Sequence, residues 1–156
     1  MTEPRPRVPA PRSPSADADI PHPTRAINSG PGRVLIGLYG LFALSAGARA
    51  GVQIATKFHN APLAYLLSAV SAAIYLVAMI GLIRGGRGGR RLAIVCCSVE
   101  LIGVLAVGTL TLLDASAFPD ATVWSDFGRG YGFVPLVLPI LGLLWLRATP
   151  ADPSPR

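Results

Sequence analysis

Two ionisable side chains, Glu100 and Arg49, stand inside long apolar stretches of this chain. Glu100 falls near the middle of its stretch. An ionised carboxylate at that depth in hydrocarbon costs at least a few kcal/mol unless it is paired, hydrogen-bonded or protonated. Such acids therefore mark either proton and ion sites or polar ties between helices. In the first case Glu100 is the coupling carboxylate of a small proton- or cation-driven transporter. In the second it holds neighbouring helices together. No second acid and no conducting polar stripe accompanies it, which favours the tie. Arg49 lies toward the outer end of its stretch, where a long aliphatic stem lets the guanidinium snorkel to the interface. Pairing with Glu100 is the alternative, across an axial gap of roughly 10 Å that water, Ser45 or Ser98 would bridge; snorkelling is favoured.

Cys96 and Cys97 precede Glu100 by one helical turn. A metal site needs three or four ligands, and the two histidines, His22 and His59, lie outside the apolar stretches. The cysteines are therefore read as small packing residues, and no metal or cofactor is expected. The lack of paired histidines argues against haem, and the lack of C-x-x-C against disulfide exchange. No nucleophile and base stand at a suggestive spacing, so the expectation is a non-enzyme.

Two exposed groups complete the candidates. Trp124, Asp126, Phe127, Arg129 and Tyr131 crowd an aromatic- and glycine-rich segment before the last apolar stretch. It reads as an interfacial re-entry into that stretch or, less favoured, as a recognition surface for a lipid or a partner protein. Asp126 and Arg129 are spaced to close a local turn. Arg84, Arg87, Arg90 and Arg91, interleaved with glycines, form a flexible basic loop. It serves as a topology signal and as a contact for anionic lipid headgroups.

Four apolar stretches must position these residues, at about 34–56, 61–83, 91–113 and 130–147. A helix rises about 1.5 Å per residue, so about 20 apolar residues cross a hydrocarbon core of roughly 30 Å. With 51% hydrophobic and 14% charged residues and a mean hydropathy of +0.51, the 156-residue chain has too few charges to cover a soluble domain. The net charge of +6 points to topology signals rather than nucleic acid, because the arginines sit at the ends of apolar stretches. Residues 1–32 hold all eight of the prolines that precede the first stretch and no apolar periodicity, so a disordered tail is expected there and at 148–156. A cleavable signal peptide is not expected, since a long polar run precedes the first stretch.

The predicted fold is thus all-α and membrane-embedded: a four-transmembrane-helix bundle over 33–147 with disordered N- and C-terminal tails. The positive-inside rule puts both tails in the cytoplasm, with Lys57 and Arg129 outside. Trp145 suits an inner aromatic belt, and Trp124 and Tyr131 an outer one. Small residues at Ala43, Gly47 and Gly51, and at Ala64, Ser68 and Ala72, offer close-packing ridges. These serve contacts within the bundle or, less favoured, a homodimer seam. Pro139 should kink the last helix.

The run Trp124-Ser-Asp-Phe-Gly-Arg-Gly-Tyr131 leading into Val134-Pro-Leu-Val-Leu-Pro-Ile-Leu-Gly-Leu-Leu-Trp145, with the arrangement of spans, resembles the small uncharacterised four-helix integral membrane proteins of actinobacteria. That resemblance implies residence in the plasma membrane and carries over no catalytic residue. Small multidrug exporters also have four helices and one intramembrane glutamate, but theirs lies in the first helix. The expectation is a non-enzymatic accessory or assembly component of the plasma membrane. Its partners are the lipid bilayer and another membrane protein or a second copy. The alternative is a small proton- or cation-coupled transporter using Glu100.

Overall fold

Apolar runs punctuated by glycine and proline give four α-helices in the computed structural model, which describes residues 30–114, 116 and 118–149. They are α1 (Gly30–Lys57), α2 (Pro62–Arg84), α3 (Gly86–Leu113) and α4 (Val134–Ala148). No strand occurs among the described residues. Most of both expected tails lies outside the described residues; residues 30–32 open α1 and Ala148 ends α4. Three helices, α1 to α3, are long and apolar enough to cross a membrane.

The fourth stretch departs from the sequence expectation of one helix over 130–147. α4 alone is about 22 Å long at 1.5 Å per residue, short of a roughly 30 Å hydrocarbon core. Ahead of it lies a short irregular turn, Ser125–Tyr131, and the two meet at 98°. The bend comes before Pro135, and α4 runs on through Pro139, where the sequence placed the kink. The cause is local: Gly132 and Phe133 both adopt left-handed backbone, at φ 62° and 61°, which no helix can continue through.

The basic loop expected at 84–91 is also different. Gly85 and Gly86 take φ of 60° and 61°, and the Gly85 N–H closes α2 on the Gly81 carbonyl at 3.2 Å. Two glycines thus reverse the chain at once, because the left-handed region is open to them without a Cβ clash. α3 starts immediately, so Arg87, Arg90 and Arg91 are helical. At the other connection, Pro62 opens α2, where a missing N–H costs no hydrogen bond.

α1 lies against α2, α2 against α3 and α3 against α4, while α1 and α4 barely meet. The guanidinium of Arg90, near the start of α3, donates to the Leu146 carbonyl near the end of α4, from Nε at 3.1 Å and also from Nη2. The first turns of α1 and the last turns of α4 line one groove. The start of α1, the end of α2, the start of α3 and the end of α4 therefore share one end of the bundle. Arg33, Arg84, Arg87, Arg90, Arg91 and Arg147 gather there.

The interior mixes small and polar residues, including Ala46, Ala50, Ala64, Ser68, Ser71, Ala78, Ala93 and Glu100, with the larger Tyr39, Tyr65, Tyr75, Leu82, Leu138 and Leu146. The surface carries the large aliphatics, such as Leu44 at 73% and Ile102 at 67% exposure. Small residues let backbones approach: the Cβ that Gly47 lacks would stand 3.7 Å from the Ala72 Cβ, so this part of the α1 ridge faces α2 within the chain. The buried serines turn back on their own helix, Ser68 donating to the Ala64 carbonyl and Ser71 to the Ser68 carbonyl.

Candidate functional site

Glu100 is fully buried midway along α3. The Tyr39 hydroxyl of α1 donates to its Oε2 at 3.0 Å. The same hydroxyl lies 3.2 Å from Cys97 Sγ, one turn before Glu100. A phenol has a single proton, already given to the carboxyl, so the thiol donates in that second contact. Gly142 of α4 fits against both: a Cβ there would stand 3.1 Å from Cys97 Sγ and 3.6 Å from the Tyr39 oxygen. The second carboxyl oxygen, Oε1, is buried and has no hydrogen-bond partner. Cys96 is buried beside this cluster without joining it.

An aromatic ladder climbs from Tyr39 to the opposite end of the bundle. Tyr39 meets Tyr75 of α2 at 6.2 Å between ring centroids, Tyr75 meets Phe42 edge-on at 6.1 Å, and Phe42 meets Tyr131 at 6.0 Å. These spacings fall in the favourable range for aromatic pairs. Arg49 caps the ladder, its guanidinium 5.9 Å from the Tyr131 ring centroid. It donates to the Tyr131 hydroxyl at 3.2 Å and to the Ala121 carbonyl at 3.4 Å. It does not pair with Glu100. Its partners hold it at the far end of the bundle, along the direction a snorkelling arginine takes.

Of the five residues expected at an interfacial or recognition surface, Trp124 instead plugs the bundle, while Asp126, Phe127 and Tyr131 are half-buried and Arg129 is exposed. Thr122, Val123, Trp124 and Ser125 are all buried. Burying irregular backbone demands internal hydrogen bonds, and Thr122 and Ser125 supply them reciprocally. The Ser125 hydroxyl accepts the Thr122 N–H at 2.9 Å, while Thr122 Oγ1 accepts the N–H of Trp124 at 3.0 Å and of Ser125 at 2.9 Å. This is the two-way logic of a capping box with serine in place of the acid. The Trp124 indole then donates to the Tyr75 hydroxyl at 3.2 Å. Trp124 is therefore a core residue, 4% exposed, and not part of an aromatic belt.

Two glycines of α3 receive this plug. A Cβ at Gly103 would come within 2.7 Å of the Trp124 ring, and one at Gly108 within 2.5 Å of the Phe127 ring. The fit is made by three successive left-handed residues, Asp126, Phe127 and Gly128. The turn closes through the Gly132 N–H on the Arg129 carbonyl and the Phe133 N–H on the Gly128 carbonyl. No ion pair joins Asp126 to Arg129, the closure expected from their spacing; Arg129 is exposed and Asp126 is half-buried. Nearby, the Tyr65 hydroxyl of α2 donates to Asp120 and pins the same connection to the bundle.

At the arginine-rich end, Arg84, Arg87 and Arg91 are exposed, and Arg90 is committed to the α4 carbonyl. Among the described residues no group of three or more His, Cys, Asp or Glu side chains converges. The residues that sequence reasoning passed over are Tyr39, Tyr75, Tyr65, Thr122 and Ser125. All four tyrosines sit inside the apolar stretches, and a Thr-x-x-Ser pattern precedes the turn, so both signals stand in the sequence. Comparison with protein families, with curated proteins and with solved structures finds no match to this chain.

Proposed function

We propose that the chain is a four-span protein of the plasma membrane, with its N- and C-terminal sides cytoplasmic. In this reading it acts without chemistry of its own, as an accessory or assembly component. Support for the setting comes from the helix surface, which carries large exposed aliphatics such as Leu44, Ile102 and Leu113. Lipid, unlike water, imposes no penalty on that surface. The arginine-rich end supports the orientation, since cytoplasmic flanks carry the excess of arginine. The segment from Thr122 to Ser125 supports a fourth span, because irregular backbone at membrane depth is tolerated only where protein buries it, and these four residues are buried.

One observation carries the non-enzymatic reading: two side-chain hydrogen bonds at the buried centre of the bundle join separate elements. Tyr39 joins α1 to α3, and the bond from Trp124 to Tyr75 joins the plug to α2. The groove between the start of α1 and the end of α4 is not lined by Glu100 or Cys97. The test is purification of the tagged full chain from its native membrane in mild detergent. A stoichiometric partner retained by Glu100→Gln is the expected result; loss of every partner with full retention of fold overturns it.

A second reading has its own observation, the unpartnered Oε1 of Glu100. A buried acid with one free oxygen is a place for a proton or a cation, and a transporter would use it. Purified protein in liposomes that shows pH-driven uptake abolished by Glu100→Gln would establish this reading over the first.

A further inference from the structure

The polar network at the centre of the bundle leaves one donor and one acceptor over. The Tyr75 hydroxyl accepts the Trp124 indole N–H at 3.2 Å. Indole only donates, so the phenol's own hydrogen is left for another acceptor, and none takes it among the described residues. Glu100 Oε1 is likewise buried without a donor, while Oε2 holds the Tyr39 hydroxyl at 3.0 Å. Tyr75 and Glu100 are both 0% exposed. Protein interiors match polar groups at that depth with other protein groups or with water. The neighbours of these two residues bring them together. The Tyr39 and Tyr75 rings stand 6.2 Å apart between centroids, and the Tyr39 hydroxyl lies on Glu100. The Trp124 ring packs on Gly103, one turn or about 4.5 Å beyond Glu100 on α3. Tyr75 is thus held by two residues that touch α3 within one turn of Glu100, and Glu100 lies within electrostatic reach of it. No direct hydrogen bond joins Tyr75 to Oε1.

We propose that Glu100 Oε1 and the Tyr75 hydroxyl share one buried water molecule. Water fits both groups: its oxygen accepts the phenol hydrogen, and one of its own hydrogens goes to the carboxyl oxygen. A bare cation would meet the carboxyl but leave the phenol hydrogen unmatched. At hydrogen-bond distances of about 2.8 Å, one water joins oxygens up to roughly 5.6 Å apart. This water ties α2 to α3, as Tyr39 ties α1 to α3. It makes Glu100 the point at which α1, α2 and the Trp124 plug are joined. Trp124 sets the direction of the link, because its N–H occupies one face of the Tyr75 oxygen and turns the phenol hydrogen elsewhere. The proposal goes beyond the accessory reading and does not depend on it.

An experimental structure of the full chain, at a resolution that shows ordered water, reads the site directly. A density peak is expected about 2.6–3.2 Å from both the Tyr75 hydroxyl oxygen and Glu100 Oε1. It should persist in Glu100→Gln, whose amide bonds water through either its oxygen or its nitrogen, and vanish in Glu100→Leu. A direct bond between Tyr75 and Glu100 overturns the proposal, as does the lack of any peak between them. A peak ringed by oxygens at about 2.3–2.6 Å is a metal cation; it overturns the proposal and favours the transporter reading. Thermal melts of the purified protein give a second test. Tyr75→Phe and Glu100→Leu together should lower the midpoint by less than the sum of their separate shifts, and additive shifts overturn the link. If Glu100→Leu fails to fold, the density in the unaltered chain decides alone.

Discussion

Glu100 owes its place to Tyr39, and the bond between them can be weighed. Removing the hydroxyl leaves a buried carboxyl oxygen and a thiol without their shared partner, a loss of about 1–3 kcal/mol. Tyr39→Phe should lower the thermal midpoint of the purified protein in detergent accordingly. Glu100→Gln keeps an oxygen for the same hydroxyl and removes the acid, so its own effect should stay within about 1 kcal/mol. In a Glu100→Leu background, where the hydroxyl has no acceptor left, Tyr39→Phe should cost less by roughly 0.6–1.7 kcal/mol, the coupling typical of hydrogen bonds between membrane helices. Equal cost in both backgrounds would show that Tyr39 acts through packing alone. Glu100 announces itself in the sequence because an acid in an apolar run has no bland neighbours. Its partner does not, since Tyr39 reads like any aromatic residue until the fold brings together positions 61 residues apart. Arg49 was readable only in part: its outward direction follows from its place in the run, but its partner Tyr131 lies 82 residues away across an irregular turn.

α3 and the turn before α4 are cut to fit each other, and that fit can be challenged from either side. Gly103→Ala would set a methyl group within 2.7 Å of the Trp124 ring, so the ring or the helix must shift, at a cost of about 1–3 kcal/mol. Trp124→Phe shortens the ring but forfeits the bond to Tyr75, and is destabilising by itself. Combined, the two should cost clearly less than their sum in thermal melts; simple additivity would mean the notch does not receive the ring. Phe133 offers a change of opposite sign. It is 47% exposed and holds a φ of 61°, a conformation that costs a side-chain-bearing residue about 1–2 kcal/mol. Phe133→Gly should raise stability by up to about 1 kcal/mol after the added chain entropy is counted. A lower melting temperature would show that the ring's contacts outweigh the strain. The three long helices follow from apolar run length, although α1 and α3 begin before their apolar stretches, at Gly30 and Gly86. The turn does not, because its geometry comes from Thr122 and Ser125 bonding each other and from Gly103 and Gly108 on a distant helix, contacts that hydropathy does not record.

Across the bundle, α1 to α3 each reach from one end to the other, and the open question is whether α4 completes a fourth crossing. Its length is against it and its contacts are for it. From the Arg90 bond, α3 climbs about 20 Å to Gly103 and α4 about 18 Å back to Val134, at 1.5 Å per residue. α4 therefore begins about level with Gly103, against which the Trp124 ring packs. A helix that merely lay on the surface could not place Leu146 against Arg90 at the start of α3. Compartment reporters inserted at Gly88 and Ala121 should then give opposite sides, Gly88 cytoplasmic, and one placed after Thr149 should agree with Gly88. If the Thr149 reporter sided with Ala121, α4 would not cross, and its bond to Arg90 would have to break in the membrane. Replacing Arg84, Arg87 and Arg91 with glutamine tests the orientation independently. Arg90 is left in place because it is a structural donor, so the bundle should still form, but a mixed orientation should appear in both reporters. Unchanged orientation would place the determining charge elsewhere, on Arg33 or Arg147.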